Sequence, residues 1–293
     1  MTRIKTIKLR GIWSYGLLIP NTKGYPVGTD VTQELGVLHY TPDVERNDAV
    51  SNGETCKAPE CVTLAPTPSL EHLKKYYKLI PVGTRVQISE KIDGSFSEFV
   101  YTGGQFHIRS MNNWKREYPD TTNLSLDFFI SKGKTPEEAQ VLVDNVNSKP
   151  KKQCKWWASM RKNQPLMDFL MKNPDTFVFG ELFGNVNRIK YNLPTGDRIA
   201  VFEMWKDGQF LAPNDTLKLC KDNGIDHVPI LEEDFEFTSV EPIIEMAEGK
   251  TLIPDAKPGT IREGLVVKPL VEINHYRHGR VALKCHSPSF LLI

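Results

Sequence analysis

Cysteine is scarce and irregular in this chain, with five among 293 residues at no repeating spacing. An odd, unpatterned set excludes the disulfide framework of small secreted domains and suits reduced, intracellular thiols. An excess of charge of one sign is also lacking. Lys and Arg total 37 against 36 Asp and Glu, a net +1, so any surface for a charged polymer must be a local patch rather than a global field. No apolar run approaches a membrane span, and Met1-Thr2-Arg3-Ile4 leads into no signal peptide. The expectation is an intracellular protein, cytoplasmic or nuclear, with no membrane contact. What the chain does have is apolar side chains, 40% of its residues, enough for one large domain or one plus a small appendage.

Three stretches follow one another. Residues 1 to about 40 read as short strands with turns at Pro20-Asn21-Thr22-Lys23-Gly24 and Pro26-Val27-Gly28. Thr41 to Pro68 is a loop rich in Pro, Asn and Asp, expected as a linker over the core. Cys56 and Cys61, flanked by His39 and His72, have loose spacing with no second cysteine pair, which speaks against zinc.

From Ser69 onward helix and strand patterns mix. Ser69–Tyr77 reads as a short helix, and Arg85–Ser89 alternates as a strand running into Lys91. Ser97–Tyr101 and Phe106–Arg109 form a hairpin through Thr102-Gly103-Gly104. Helices are expected at Thr135–Val146, Pro165–Lys172 and Asp215–Gly224, the last closed by its glycine. Further strands are expected at Phe177–Gly180, Arg198–Trp205, Gly264–Lys268 and Arg280–Lys284. This order suits an α+β domain of packed, mainly antiparallel sheets with flanking helices, spanning 69–293 behind an N-terminal β segment and linker over 1–68.

Within Ser89-Glu90-Lys91-Ile92-Asp93-Gly94-Ser95 lies a K-x-D-G sequence. Alone it is weak, because the same letters recur in surface turns. Its company is more specific. Phe179-Gly180-Glu181-Leu182-Phe183-Gly184, Val201-Phe202-Glu203-Met204-Trp205, Glu263-Gly264-Leu265-Val266-Val267-Lys268 and Leu283-Lys284-Cys285 follow in order. Each has a plain alternative when taken singly: Phe202 as strand packing, the glutamates and lysines as solvated strand ends.

Together these segments resemble the ATP-dependent polynucleotide ligases and mRNA-capping enzymes of the covalent nucleotidyltransferase superfamily, most closely the nick-sealing RNA ligases. The first forty residues, with Leu9-Arg10-Gly11, Ser14-Tyr15-Gly16-Leu17-Leu18-Ile19-Pro20 and the run from Gly28 to Val37, are similar to the Deinococcus and Naegleria branch. There an OB-type module joins the catalytic domain, which makes residues 1–68 a remnant or tail of such a module.

The resemblance implies roles. Lys91 attacks the α-phosphate of ATP and carries AMP as a phosphoramidate, which keeps the energy for a second transfer. A free lysine has a pKa near ~10.4 and must lose its proton first, helped by burial, neighbouring cations or a metal ion. Lys268 and Lys284 contact the phosphate and offset its charge. Glu181 binds the ribose hydroxyls, Phe202 stacks on adenine, Glu90 lies beside the base, and Ile92 lines the same site. Glu263 holds Mg²⁺ (or Mn²⁺) through its water shell. Arg109 helps seat a 5′-phosphate, and Gly94 allows close backbone approach to the ligand.

Two departures stand out. The last motif often carries a lysine two positions before its final one, and here that residue is Ala282. Strand alternation puts Arg280 on the face of Lys284, as a displaced positive charge. In Arg109-Ser110-Met111-Asn112 the arginine precedes the serine, whereas some relatives place it after. For the polymer, Lys149, Lys151, Lys152, Lys155, Arg161 and Lys162 surround Trp156 and Trp157, and Asn112, Trp114, Lys115 and Arg116 form a second patch. Only Cys285–Ile293 follow the last motif, too few for the OB domain that DNA ligases and capping enzymes carry there.

The expected protein is therefore a monomeric ATP-dependent RNA ligase. It joins a 3′-OH to a 5′-phosphate through lysyl-AMP and AMP-capped intermediates, at nicks in RNA or RNA/DNA duplexes with RNA on the 3′-OH side. A DNA ligase, a capping-type nucleotidyltransferase and a non-catalytic nucleic-acid-binding relative are the alternatives.

Overall fold

A computed structural model of the chain describes residues 7–9, 12–14, 19–36, 53–62, 65–122, 124–148 and 150–293. His39, Lys149 and residues 41–52, 63 and 64 of the expected linker lie outside them. The N-terminal stretch contributes an antiparallel pair, Ile7–Leu9 with Ile12–Ser14.

Eight strands carry most of the architecture: β1 (Thr84–Lys91), β2 (Ser95–Thr102), β3 (Gln105–Arg109), β4 (Phe177–Phe183), β5 (Arg198–Lys206), β6 (Ile230–Phe237), β7 (Gly264–Pro269) and β8 (Leu283–His286). A seven-stranded sheet runs Gln209–Phe210, β5, β4, β2, β3, Trp114–Lys115, Thr55–Cys56, with every neighbour antiparallel. A five-stranded sheet runs β6, β1, β7, β8, Glu71–His72, antiparallel until the last pair. The expected α+β architecture is what the chain forms.

Alternation explains the second sheet. In β1, Val86 and Ile88 turn to one face and Gln87 and Ser89 to the other. The apolar halves of β1, β7 and β8 meet in a core of Val86, Ile88, Leu265, Val267, Leu283 and Cys285, closed by Leu73 and Ile243. Each such side chain contributes about 1.5–3 kcal/mol by leaving water. The first sheet is closed on one face by helices Lys155–Arg161, Gln164–Lys172 and Pro213–Asn223, through Met160, Leu166, Leu170 and Cys220 against Phe99, Val178 and Leu182.

Helix ends follow the chemistry legible in the chain. Thr135 and Glu138 form a reciprocal capping box at 3.2 Å in each direction, starting helix Pro136–Ser148. Gly224, at φ +66°, closes the helix after Asn223. Two expectations are corrected. Ser69–Tyr77 is a strand at Glu71–His72, one helical turn at Leu73–Tyr76 and a 3-10 turn at Tyr77–Leu79. The strand expected over Arg280–Lys284 is broken: Arg280 pairs with Asn274 in a separate ladder, and β8 begins only at Leu283. Gly94 also meets a packing need: an added Cβ would lie 2.5 Å from the Leu182 carbonyl and 2.6 Å from Glu181 Cγ.

Helices Leu126–Ser131 and Glu241–Ala247 and the edge strand β6 carry no clear pattern in the sequence. The exposed glutamates of β6 hide its strand character and blunt the sheet edge. Cys56 lies at an edge of the first sheet, His72 at an edge of the second, and Cys61 Sγ lies 3.5 Å from His107. Among the described residues no group of three or more potential metal ligands forms.

Gly264 stands between Lys91 and His286 on the neighbouring strands. A Cβ there would strike the Cys285 carbonyl. Gly264→Ala is expected to lower stability by about 1–3 kcal/mol, read as a shifted urea midpoint at unchanged slope.

Candidate active site

The inner faces of the two sheets enclose a cavity of about 720 Å³. The five-stranded sheet supplies Ser89, Lys91, Val266, Lys268 and Lys284; the seven-stranded sheet supplies Phe96, Glu181, Phe202 and Glu203. Register brings the cations together. Val266 pairs with Ser89 on one side and Lys284 on the other, while Gly264 pairs with Lys91 and His286. Lys91, Lys268 and Lys284 therefore project from three adjacent strands onto one face. The polar half of the alternation is buried here rather than given to solvent: Gln87 and Ser89 are each 3% exposed.

Lys91 Nζ donates to Glu263 Oε1 at 2.6 Å. His286 Nε2 lies 3.5 Å from that oxygen, and Glu263 Oε2 is buried with no hydrogen-bond partner. Burial raises the Glu263 carboxyl above its ordinary value, with Lys91 opposing the rise. Burial pushes Glu181 up to about 8; Lys91 opposes this, and Glu263 and Asp93 add to it. His286 is held down to about 4 by burial and by Lys91, Lys284 and His72. Burial also lowers Lys268, whose ammonium donates to the Phe202 carbonyl at 2.7 Å and stands 5.5 Å from the Phe202 ring centroid.

The other expected residues divide. Ile92 lines the cavity and packs with Phe183, Tyr191 and Val228. Glu90 reaches the wall, but its carboxylate accepts from Thr251 Oγ1 and from the Leu252 amide at 2.7 Å. Asn112 lies on the wall beside Met111 and Asn113. Arg109 does not line it: Nε donates to Glu98 at 3.0 Å and Nη2 to Thr67 at 2.9 Å, so it braces a wall residue. Of the basic run, Arg161 is bidentate on Glu117 and Trp157 is buried. Trp156 lines the cavity, with the ammonium groups of Lys115 and Lys155 each 4.6 Å from its ring centroid. Lys151 and Lys152 border a separate cavity of about 300 Å³. Arg280 does not join Lys284 on the wall. It bonds to Glu203 at 2.6 Å and Glu272 at 2.9 Å, because the break before β8 takes it off that face.

Sequence reasoning missed Asp93, Glu203 and His286 as individual site residues. Asp93, the acid of the K-x-D-G run, accepts from the Ile189 amide at 2.7 Å and anchors the 187–191 loop. Its place in the motif was the available signal. Glu203 carried none, since strict alternation would turn it away from a wall that holds Phe202. A bulge between Val201 and Glu203 lets both consecutive side chains reach the cavity.

Two mainly antiparallel sheets, with a lysine, its partner carboxylate and two further lysines at one cavity, suit a nucleotidyltransferase fold of the polynucleotide ligase kind. The chain belongs to the RNA ligase family, whose model matches residues 84–286. Among solved structures it is similar in fold to Naegleria gruberi RNA ligase with PPi, at 23% identity and TM-score 0.58, covering 99% of this chain and 76% of that one. A mutant of that enzyme with ATP and Mn gives 21% identity and TM-score 0.55 at the same coverage. Another mutant, with AMP and Mn, gives 23% and 0.55, again at 99% and 76%. Comparison with curated proteins finds no match. Among the described residues no helix is long and apolar enough to cross a membrane.

The raised Glu181 sets a pH dependence. Its carboxyl binds a proton more tightly when folded, so its contribution is full below the unfolded value of 4.5 and is lost as pH rises through about 8. Glu181→Gln, which cannot ionise, is expected to melt with a weaker pH dependence than the parent. The thermal midpoint difference between the two, followed from pH 5 to 8.5, should shift progressively in favour of the variant.

Proposed function

We propose that the protein is an ATP-dependent RNA ligase whose nucleophile is Lys91. The observation that carries this is the convergence of Lys91, Lys268 and Lys284 from neighbouring strands around a cavity with Phe202 and Glu181 on the opposite wall, with Glu263, the residue before β7, paired to Lys91. A partly buried aromatic ring suits a purine, the glutamate suits ribose hydroxyls, and the lysines suit phosphates. The ATP and AMP in the Naegleria structures support the same ligand here.

The residues also fit a divalent ion. The partnerless Oε2 of Glu263 is an oxygen in want of a positive ligand. With no cluster of three potential ligands among the described residues, the fit is to Mg²⁺ or Mn²⁺ held by one carboxylate, waters and substrate phosphates. Mn in the Naegleria complexes supports this. When bound, the ion supplies charge stabilisation to the phosphate and favours the neutral amine of Lys91.

In the first step Glu263 orients Lys91, whose deprotonated Nζ attacks the α-phosphorus while pyrophosphate leaves. Lys268 and Lys284 offset the charge on the phosphoryl oxygens. AMP then passes from Lys91 to a 5′-phosphate, and a 3′-hydroxyl attacks that activated phosphate and expels AMP. The polynucleotide lies along Asn112, Trp156, Lys115 and Lys155, with Lys151 and Lys152 contacting its backbone further out, and Arg109 acts by bracing Thr67. The substrate is a nicked duplex with RNA on the 3′-OH side, sealed by a monomer inside the cell. Residues 69–293 form the adenylylation domain and 1–68 its appendage.

Incubation with ATP labelled at the α-phosphate and Mg²⁺ is expected to yield a covalent protein adduct that survives denaturation and alkali but is lost in hot acid, as a phosphoramidate is, and that is absent from Lys91→Ala. An equal adduct in that variant, or labelling by GTP in preference to ATP, would overturn the reading. Four nicked duplexes with RNA or DNA on either side test the substrate. Sealing is expected only where RNA carries the 3′-hydroxyl.

A further inference from the structure

Glu203 is a buried carboxylate that the reaction above leaves without a task. Its side chain is 3% exposed, and a single oxygen, Oε1, faces two cations: Lys268 Nζ at 3.2 Å and Arg280 Nη2 at 2.6 Å. Two cations thus share one buried carboxylate; the second carboxylate on Arg280, that of Glu272, is 42% exposed and lies away from Lys268. Only Lys268 and Glu203 of the three border the cavity.

The contacts of Arg280 show why it prevails on Glu203. Its Nε is held by Glu272 at 2.9 Å, and the guanidinium carbon lies 4.3 Å from the Phe210 ring centroid. A planar, permanently charged fork fixed on both sides holds the carboxylate at a shorter distance than the ammonium does. Lys268 in turn has the Phe202 carbonyl at 2.7 Å and the longer contact to Glu203. An ammonium has three donors, so one remains for a ligand. Without Arg280, Glu203 and Lys268 would form a closed neutral pair. Ala282, on the approach to β8, contributes no charge and is 3% exposed.

We propose that Arg280 is a positioning residue that holds the Glu203 carboxylate and so leaves the charge of Lys268 directed into the cavity, toward a polyphosphate ligand. For the identity of that ligand as a nucleoside triphosphate, this rests on the function proposed above. The lowered Lys268 pKa, caused first by burial, agrees with an ammonium incompletely compensated by Glu203 and opposed by Arg280.

Three variants of the full chain test it: Arg280→Gln, Arg280→Lys, and Arg280→Gln combined with Glu203→Gln. The single glutamine variant is expected to form the adenylylated protein roughly tenfold more slowly at saturating ATP, less than the 10²–10³-fold typical of losing a stabilising donor outright. The lysine variant keeps the charge and should recover most of the rate. The double variant should recover it as well, because the neutralising carboxylate is gone. A packing role would follow thermal stability instead, so the melting midpoint of each variant is measured alongside.

Inorganic tripolyphosphate binding, read by calorimetry, gives a second measure that needs no adenylylation. The same order is expected: parent above the glutamine variant, with recovery in the other two. If the parent forms no adduct yet this order holds, the proposed function fails and the role of Arg280 stands. If Arg280→Gln matches the parent in tripolyphosphate affinity, or the lysine and double variants are as impaired as it is, the role of Arg280 is overturned.

Discussion

Lys91 and Glu263 meet at 2.6 Å in the space between two sheets, and the surrounding structure answers the cost of putting charge there. Taking an ammonium and a carboxylate out of water costs several kcal/mol per ion, and only close geometry with further partners offsets it. Strand register provides that geometry. Gly264, with no side chain, lies between Lys91 and His286. The apolar core on the far face of β1, β7 and β8 fixes the strands that carry the charges. One carboxylate oxygen, Oε2 of Glu263, is buried without a hydrogen-bond partner.

Order in the sequence made much of this site legible. Lys91, Glu181, Phe202, Glu263, Lys268 and Lys284 sit in five separated segments, and no local rule connects them. Their succession pointed to one site, and the sheets bring all of them to one cavity or its edge. The α+β class and most strands were readable because apolar side chains recur with period two. What alternation did not reveal is that the polar half of the period is buried too. A solvent face and a cavity face look alike when read as letters.

The misreadings have local causes. Arg280 was placed beside Lys284 by extending a strand through Val281 and Ala282, where the chain leaves one ladder before joining another. Trp156 and Trp157 looked equivalent, but a helix turns adjacent residues about 100° apart, putting one in the core and the other on the cavity wall. Arg109 was assigned to a 5′-phosphate by the resemblance of its motif, and the structure pairs it with Glu98 and Thr67. Nothing in its own segment announced the buried Glu98 that claims it.

The bulge after Val201 has a consequence for how the chain is compared with others. Past that point the inward and outward parity of β5 is reversed relative to a regular strand, so residues on either side count from different origins. An alignment that scores this segment as uniformly alternating will pair inward positions with outward ones on one side of the break. A single-residue deletion at this point would restore the regular count and bring only one of Phe202 and Glu203 to the cavity. The spacing of this segment is therefore as much a part of the site's specification as the identity of its residues.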